Sequence, residues 1–185
     1  MTTILGLDIS SRSTATVAIP LSWDGNWSRV EWLLCGQKLP RTATDMARAQ
    51  RCEQIARSIV EFARRKGATL AWFEGYAFSQ NTSAHTLAEV GGVVRLELVR
   101  AGIEIRTANM ATARKLLLGK VPVGEKLPSG KRRKGVAKKA VYEALTASGA
   151  RLPAGDEGCD VADAIVAANL GLSELGGYCW AQVAA

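Results

Sequence analysis

The chain has 185 residues, with 24 lysines and arginines against 17 acids, a formal net charge of +7 and 48% hydrophobic residues. That length and apolar content support a real core in one domain and exclude a disordered chain. The basic balance favours an anionic partner, nucleic acid first among them.

Taken in order, Thr3 to Asp8 reads as a buried strand ending on an acid, and Ile9 to Ser13 as a polar turn. Thr14 to Pro20 is a second strand, rich in β-branched residues. Leu21 to Ser28, with Asp24-Gly25, is a turn flanked by Trp23 and Trp27. Arg29 to Lys38 is a third strand ending before Pro40, and short connections make the three an antiparallel meander. Thr44 reads as the N-cap of a helix over Asp45 to Lys66, stopped by Gly67. Ala68 to Phe73 is a fourth strand that delivers Glu74, and Gly75 to Ser83 is a loop. A helix over Ala84 to Ala101, crossed by Gly91-Gly92, leads to a fifth strand over Ile103 to Thr107. The order β-β-β-α-β-α-β implies a mixed sheet with right-handed crossovers.

The rest of the chain is helical. Asn109 to Leu118 is a short helix, capped around Thr107 or Asn109, and Gly119 to Gly130 is a loop with three glycines. Lys131 to Ser148 returns to helix, with Val136, Val141 and Leu145 as a thin apolar stripe. Arg151 to Gly158 reads as a loop, and a small, apolar helix carrying Asp160 and Asp163 follows, ended by Gly176-Gly177. Residues 1–175 form one domain and 176–185 a tail. No signal-type leader is visible at the N-terminus, and no apolar run approaches the ~18 residues of a membrane span. Cys35, Cys52, Cys159 and Cys179 form no C-x-x-C pair, and the one histidine, His85, is close to none of them, which argues against zinc and against a disulfide scaffold. A soluble protein of a reducing cytoplasm is expected.

Four acids hold the chemistry. Asp160 and Asp163, three apart, share one helix face; they serve equally well as first-turn acids facing the helix dipole. Asp8 ends the first strand, where an Asx-turn to Ser10 or Ser11 is the alternative, and Glu74 ends the fourth, where a salt bridge to an arginine is the alternative. The first and fourth strands should be sheet neighbours, so Asp8 and Glu74 emerge at the same end. A helix bearing Asp160 and Asp163 across that end closes a ring of four carboxylates, which cannot all ionise without cations between them. Oxygen ligands without histidine or cysteine favour Mg²⁺ or Mn²⁺, and two such ions about 3.5–4 Å apart are the usual clamp for phosphodiester cleavage.

Arg114, Lys115, Lys120, Lys126, Lys131, Arg132, Arg133, Lys134, Lys138 and Lys139 fall close together, opposed only by Glu125. They read as a phosphate-binding surface with a steep salt dependence, the alternative being a solvated helix face. Tyr76 and Phe78 follow Glu74 and are either plugs beneath the loop or aromatics that stack on an opened base. His85 reads as a surface or capping residue. Gly91-Gly92 inside a helix costs about 1 kcal/mol per glycine, which implies close packing onto the sheet or onto a partner subunit.

Ile-Leu-Gly-Leu-Asp8 followed by Ile-Ser-Ser-Arg-Ser-Thr, then Trp-Phe-Glu74, then Asp160-Val-Ala-Asp163-Ala resembles the RuvC family of Holliday junction resolvases. The resemblance runs from Thr3 to about Leu172 and departs at Ile9-Ser10, where the usual pattern is Pro-Gly, and in the longer, more basic Lys120 to Arg133 connection. It implies a ribonuclease H-like α/β fold: a central five-stranded mixed sheet, the first three strands antiparallel, the fourth and fifth parallel to the first, flanked by helices. It implies metal-binding catalytic acids at Asp8, Glu74, Asp160 and Asp163, holding two Mg²⁺ or Mn²⁺ per site, and a lysine near the scissile phosphate, best matched by Lys134. It implies an aromatic for junction opening at Tyr76 or Phe78, a four-way or branched DNA substrate, and a homodimer formed in part by the second helix. The cytoplasm of a bacterium or of a phage-infected host is the matching location. A broader flap or fork nuclease, a non-catalytic junction scaffold and an actin-like ATP-binding protein are the other readings.

Overall fold

The computed structural model describes residues 2–10, 13–40, 42–75, 83–129, 133 and 135–177, with only the backbone at 83 and 84. Five strands form one sheet: β1 (Thr3–Ile9), β2 (Thr14–Pro20), β3 (Glu31–Cys35), β4 (Ala68–Glu74) and β5 (Glu104–Ala108). Their order across the sheet is β3-β2-β1-β4-β5. β1 pairs antiparallel with β2 and β2 with β3, while β4 is parallel to β1 and β5 to β4. This is the expected topology. Among the described residues, five α-helices accompany it: α1 (Asp45–Arg65), α2 (Ser83–Arg100), α3 (Met110–Leu118), α4 (Val136–Ala147) and α5 (Gly155–Glu174).

β1 is central and is buried on both faces, so it carries no polar side chain from Ile4 to Leu7. Leu5 and Leu7 point into a core closed by α1 and α2, built from Ile55, Ile59, Phe62, Val94 and Leu98 with Phe73 of β4. Ile4 points the other way, into a core closed by α5 and completed by Trp72, Val17 and Ile19. α1 starts where Thr44 caps it, its hydroxyl accepting from the Ala47 amide at 3.2 Å. Asn109 caps α3 in the same way, accepting from the amides of Ala111 and Thr112.

Three boundaries differ from the sequence reading. β3 is shorter, because Trp27–Arg29 closes a 3-10 turn capped by Asn26 and because Gly36 bends the chain with φ +93°. α4 begins at Val136 and not at Lys131: Arg133 lies outside it and donates its amide to the Glu125 carbonyl at 2.9 Å, and Gly135 stands in the left-handed region with φ +80°. α5 begins at Gly155, ahead of the expected start, with no side-chain cap to announce it. Gly158 is therefore a helix residue. A Cβ there would lie 1.9 Å from the Pro153 carbonyl oxygen and 2.6 Å from the Tyr142 ring, so glycine is required by contact, not by a turn. No helix among the described residues is long and apolar enough to cross a membrane. The C-terminal stretch expected to be a tail lies largely outside the described residues.

Candidate active site

The site is set by how α5 meets β1. Gly6 leaves no room for a side chain: a Cβ would lie 1.9 Å from the Ala164 carbonyl oxygen and 2.6 Å from the Ala168 amide. The helix backbone therefore rests directly on the strand. Side chains two apart on a strand share a face and advance about 6.6 Å, close to one helical turn of about 5.4 Å. Two residues beyond Gly6 is Asp8; one turn back from Ala164 is Asp160, with Asp163 beside it. On the other side of β1, the parallel pairing with β4 sets Leu7 beside Phe73. Asp8 and Glu74 are the next residues along each strand, on the face that α5 covers. Four acids from three separate segments of the chain thus gather at one end of the sheet.

The first-turn acids of α5 are Asp156 and Glu157. Asp160 and Asp163 lie deeper in the helix, so the helix terminus does not account for them. Asp163 is fully buried, and its carboxylate is gripped by Arg114 of α3, with Nε to Oδ1 at 3.1 Å and Nη2 to Oδ2 at 2.7 Å. Lys138 of α4 reaches three of the acids with one ammonium. Its Nζ lies 2.7 Å from Asp8 Oδ2, 2.8 Å from Asp160 Oδ1 and 3.2 Å from Asp163 Oδ2. Ser13 donates its hydroxyl to Asp160 Oδ2 at 3.2 Å, and Ser13 is itself held by Ser10, whose Oγ accepts from the Ser13 amide at 3.0 Å.

The electrostatics follow from crowding. Burial raises the Asp8 pKa well above the ordinary carboxylate value; Lys138 pulls it down, and the charge of Glu74 and a hydrogen bond with it push it further up. Burial opposes the charge on Lys138, but Asp8, Asp163 and Asp160 outweigh it and raise the ammonium pKa above its usual value. Arg114 behaves alike: burial works against it, and the hydrogen bonds and charge of Asp163 more than compensate. Two cations stand against four carboxyls, so the cluster stays short of positive charge. Among the described residues, no three acidic, histidine or cysteine side chains are arranged as a ligand set for a metal ion; the Lys138 ammonium sits where three of the carboxylates converge. The donors are all hard oxygens, the type that suits Mg²⁺ or Mn²⁺, and the shared ammonium shows that they can surround one cation.

The other expected site residues divide into three groups. Arg114 and Lys138, expected on the phosphate-binding surface, are instead engaged with carboxylates. Lys115, Lys120, Lys126 and Arg133 are exposed on α3 and on the connection to α4, free of the acid cluster. Lys131, Arg132, Lys134, Tyr76 and Phe78 lie outside the described residues. His85 is exposed in the first turn of α2, as a surface residue should be. Sequence reasoning missed Ser13, whose only signal was a polar turn after the first acid. It also missed the inward roles of Arg114 and Lys138, although both fall on the apolar stripes of their helices, with Met110, Ala113 and Leu117, and with Val141 and Leu145.

No family model and no curated protein sequence matches the chain. Solved structures do match its fold. A structure described as Thermus thermophilus RuvC in complex with a Holliday junction substrate superposes with a TM-score of 0.63 at 16% identity, over 95% of this chain and 97% of that one. A structure of Thermus thermophilus RuvC alone gives a TM-score of 0.59 at 16% identity, over the same shares. The chain has a RuvC-like fold, within the ribonuclease H-like architecture.

Proposed function

We propose that this chain, which shares the RuvC fold, is a divalent-metal-dependent endonuclease that resolves four-way DNA junctions as a homodimer. The observation that carries the reading is the convergence of Asp8, Glu74, Asp160 and Asp163 from β1, β4 and α5 at one end of the sheet. Here they are brought together at an electrostatic cost, which is a mark of functional sites.

On this reading the four carboxylates hold two Mg²⁺ or Mn²⁺. When bound, such a pair activates a water for attack on phosphorus and stabilises the leaving oxygen. The chain's own residues prepare the site. Asp163 is fixed by Arg114, and Asp160 is oriented by Ser13, so neither carboxylate swings freely. Asp8 is held toward its protonated form by burial and by Glu74, and it would be one of the carboxylates that hold a bound cation. Lys115, Lys120, Lys126 and Arg133, exposed on α3 and on the connection to α4, position the DNA backbone by phosphate contacts that carry no sequence information. Lys131, Arg132 and Lys134 belong to the same basic stretch, and Lys134 is the proposed contact to the scissile phosphate. Tyr76 or Phe78, just beyond Glu74, supplies the stacking surface at the opened branch point.

The homodimer fits a substrate with two opposed strands to cut. On α2, Gly92, Leu96 and Val99 are exposed at helical spacing, and a Cβ at Gly92 would meet nothing within 4 Å. That is an apolar stripe without a partner within the described chain.

A second reading has its own observation. Arg114 and Lys138 already pair with three of the acids, as they would in a junction-binding scaffold that takes no metal. An immobile four-way junction and a duplex of matching sequence, each with Mg²⁺ or with EDTA, separate the two. Metal-dependent cutting of the junction alone supports the resolvase. Tight junction binding with no cutting supports the scaffold, and equal cutting of both substrates means a general nuclease. Flap and fork substrates in the same assay measure how broad the selectivity is.

A further inference from the structure

Among the described residues, Lys138 is placed unlike the other lysines of its region. Its neighbour Lys139 is exposed and pairs along the helix with Glu143 at 3.5 Å. Lys138 turns inward on the stripe of Val141 and Leu145 and spends its ammonium on Asp8, Asp160 and Asp163 together. An ammonium has three donors and no acceptor; here it donates to Asp8 and Asp160 and forms an ion pair with Asp163. Arg114, by contrast, grips one carboxylate with a rigid fork and closes off none of the others. The Lys138 side chain keeps 30% of its surface exposed, and its four-carbon stem is flexible. It has a way out.

A divalent cation bound by these acids would compete for the oxygens that Lys138 now contacts, and its double charge would repel the ammonium at that distance. We infer that Lys138 is a built-in counter-cation: it holds the acid cluster together when no metal is bound, and it must be displaced for a divalent cation to load. The inference rests on the proposed reading that these acids take a divalent cation. Loading is then an exchange, with the metal entering and the ammonium leaving for solvent or a phosphate. The lysine keeps the site assembled and raises the metal concentration at which it fills.

The test uses the full chain without DNA, at fixed pH and salt, with Mn²⁺ as the probe. Lys138→Met keeps most of the stem and removes the charge. By the size of charge-assisted hydrogen bonds, Mn²⁺ affinity measured by calorimetry should tighten roughly tenfold or more. The melting temperature of the variant without metal should fall, and Mn²⁺ should raise it by more than it raises the wild type's. Lys139→Met removes the same formal charge one residue away and should change Mn²⁺ affinity by less than about threefold, as expected of a screened surface charge. Equal or weaker affinity in Lys138→Met overturns the inference. If that variant does not fold, the wild type still decides. Acylation of lysines read by mass spectrometry should label Lys138 slowly without Mn²⁺ and several-fold faster with it, while the exposed Lys115 stays constant; a Lys138 rate that does not respond to Mn²⁺ overturns it. Absence of Mn²⁺ binding in both wild type and variant overturns the metal reading itself, whereas equal binding overturns only the role of Lys138.

Discussion

Asp163→Asn tests whether the pair formed by Asp163 and Arg114 is a buried charge pair or an incidental contact. A surface ion pair contributes about 0–1 kcal/mol, whereas removing one partner of a buried pair costs about 3–5 kcal/mol. The side chains here are 0% and 18% exposed, which puts the pair in the second class. Asparagine keeps one acceptor oxygen for Arg114, and the other acids remain close, so the lower end applies, about 3 kcal/mol. For a chain of this size each kcal/mol moves the melting temperature by about 2–4 °C, giving a drop of roughly 6–12 °C. Urea denaturation with chelator present is the assay, so that loss of metal affinity does not enter. The midpoint should fall with the slope unchanged. Arg114→Met should also destabilise, and the double variant should cost less than the two single changes added, by at least about 1 kcal/mol. A single variant within about 0.5 kcal/mol of the wild type, or an additive cycle, would refute the reasoning. Asp163→Asn should still bind a junction and should not cut it.

Asp8→Asn should have the opposite effect on stability. Because burial and Glu74 raise the Asp8 pKa in the folded chain, the protonated form is favoured by folding. That stability is fully present below the unfolded carboxyl range and is lost as pH rises through the raised value. The metal-free wild type should therefore lose stability over this rise, Asp8→Asn should lose less, and the variant should melt higher at neutral pH; a variant that melts lower at neutral pH contradicts the assignment. Replacing Lys120, Lys126 and Arg133 with alanine should weaken junction and duplex binding alike and flatten the salt dependence by about one unit per contact removed. An unchanged slope of affinity against salt would remove these residues from the interface. Gly6→Ala drives a methyl into the α5 backbone; a loss of about 1–3 kcal/mol or more is expected, read in a denaturant melt, and a neutral result would mean that α5 does not rest on β1.

Much of this fold is legible in the sequence because apolar strands announce themselves. β1, β2 and β4 are short β-branched or aromatic runs bounded by polar turns, and the acids at the ends of β1 and β4 fall out of the same pattern. The caps at Thr44 and Asn109 carry their signal in one side chain each. The start of α5 carried none: Ala154 offers no capping oxygen, and Pro153, Gly155 and Gly158 read as loop. The early start of α5 matters for the site, because it moves Asp160 and Asp163 out of the first turn and leaves their burial to be explained by Arg114 and Lys138. Those two cations were hidden by counting. Ten basic residues in one stretch look like one surface, and only the helical face on which each falls separates the pair that points inward from the lysines that face solvent.

The most direct test of the central claim is a cleavage map on an immobile four-way junction, labelled on each strand in turn and incubated with Mg²⁺. The account predicts nicks at symmetric positions in two opposed strands near the branch point, with ends that a ligase reseals, and none in EDTA. Nicks confined to the duplex arms, nicks in one strand only, or binding without any nick in Mg²⁺ would contradict it.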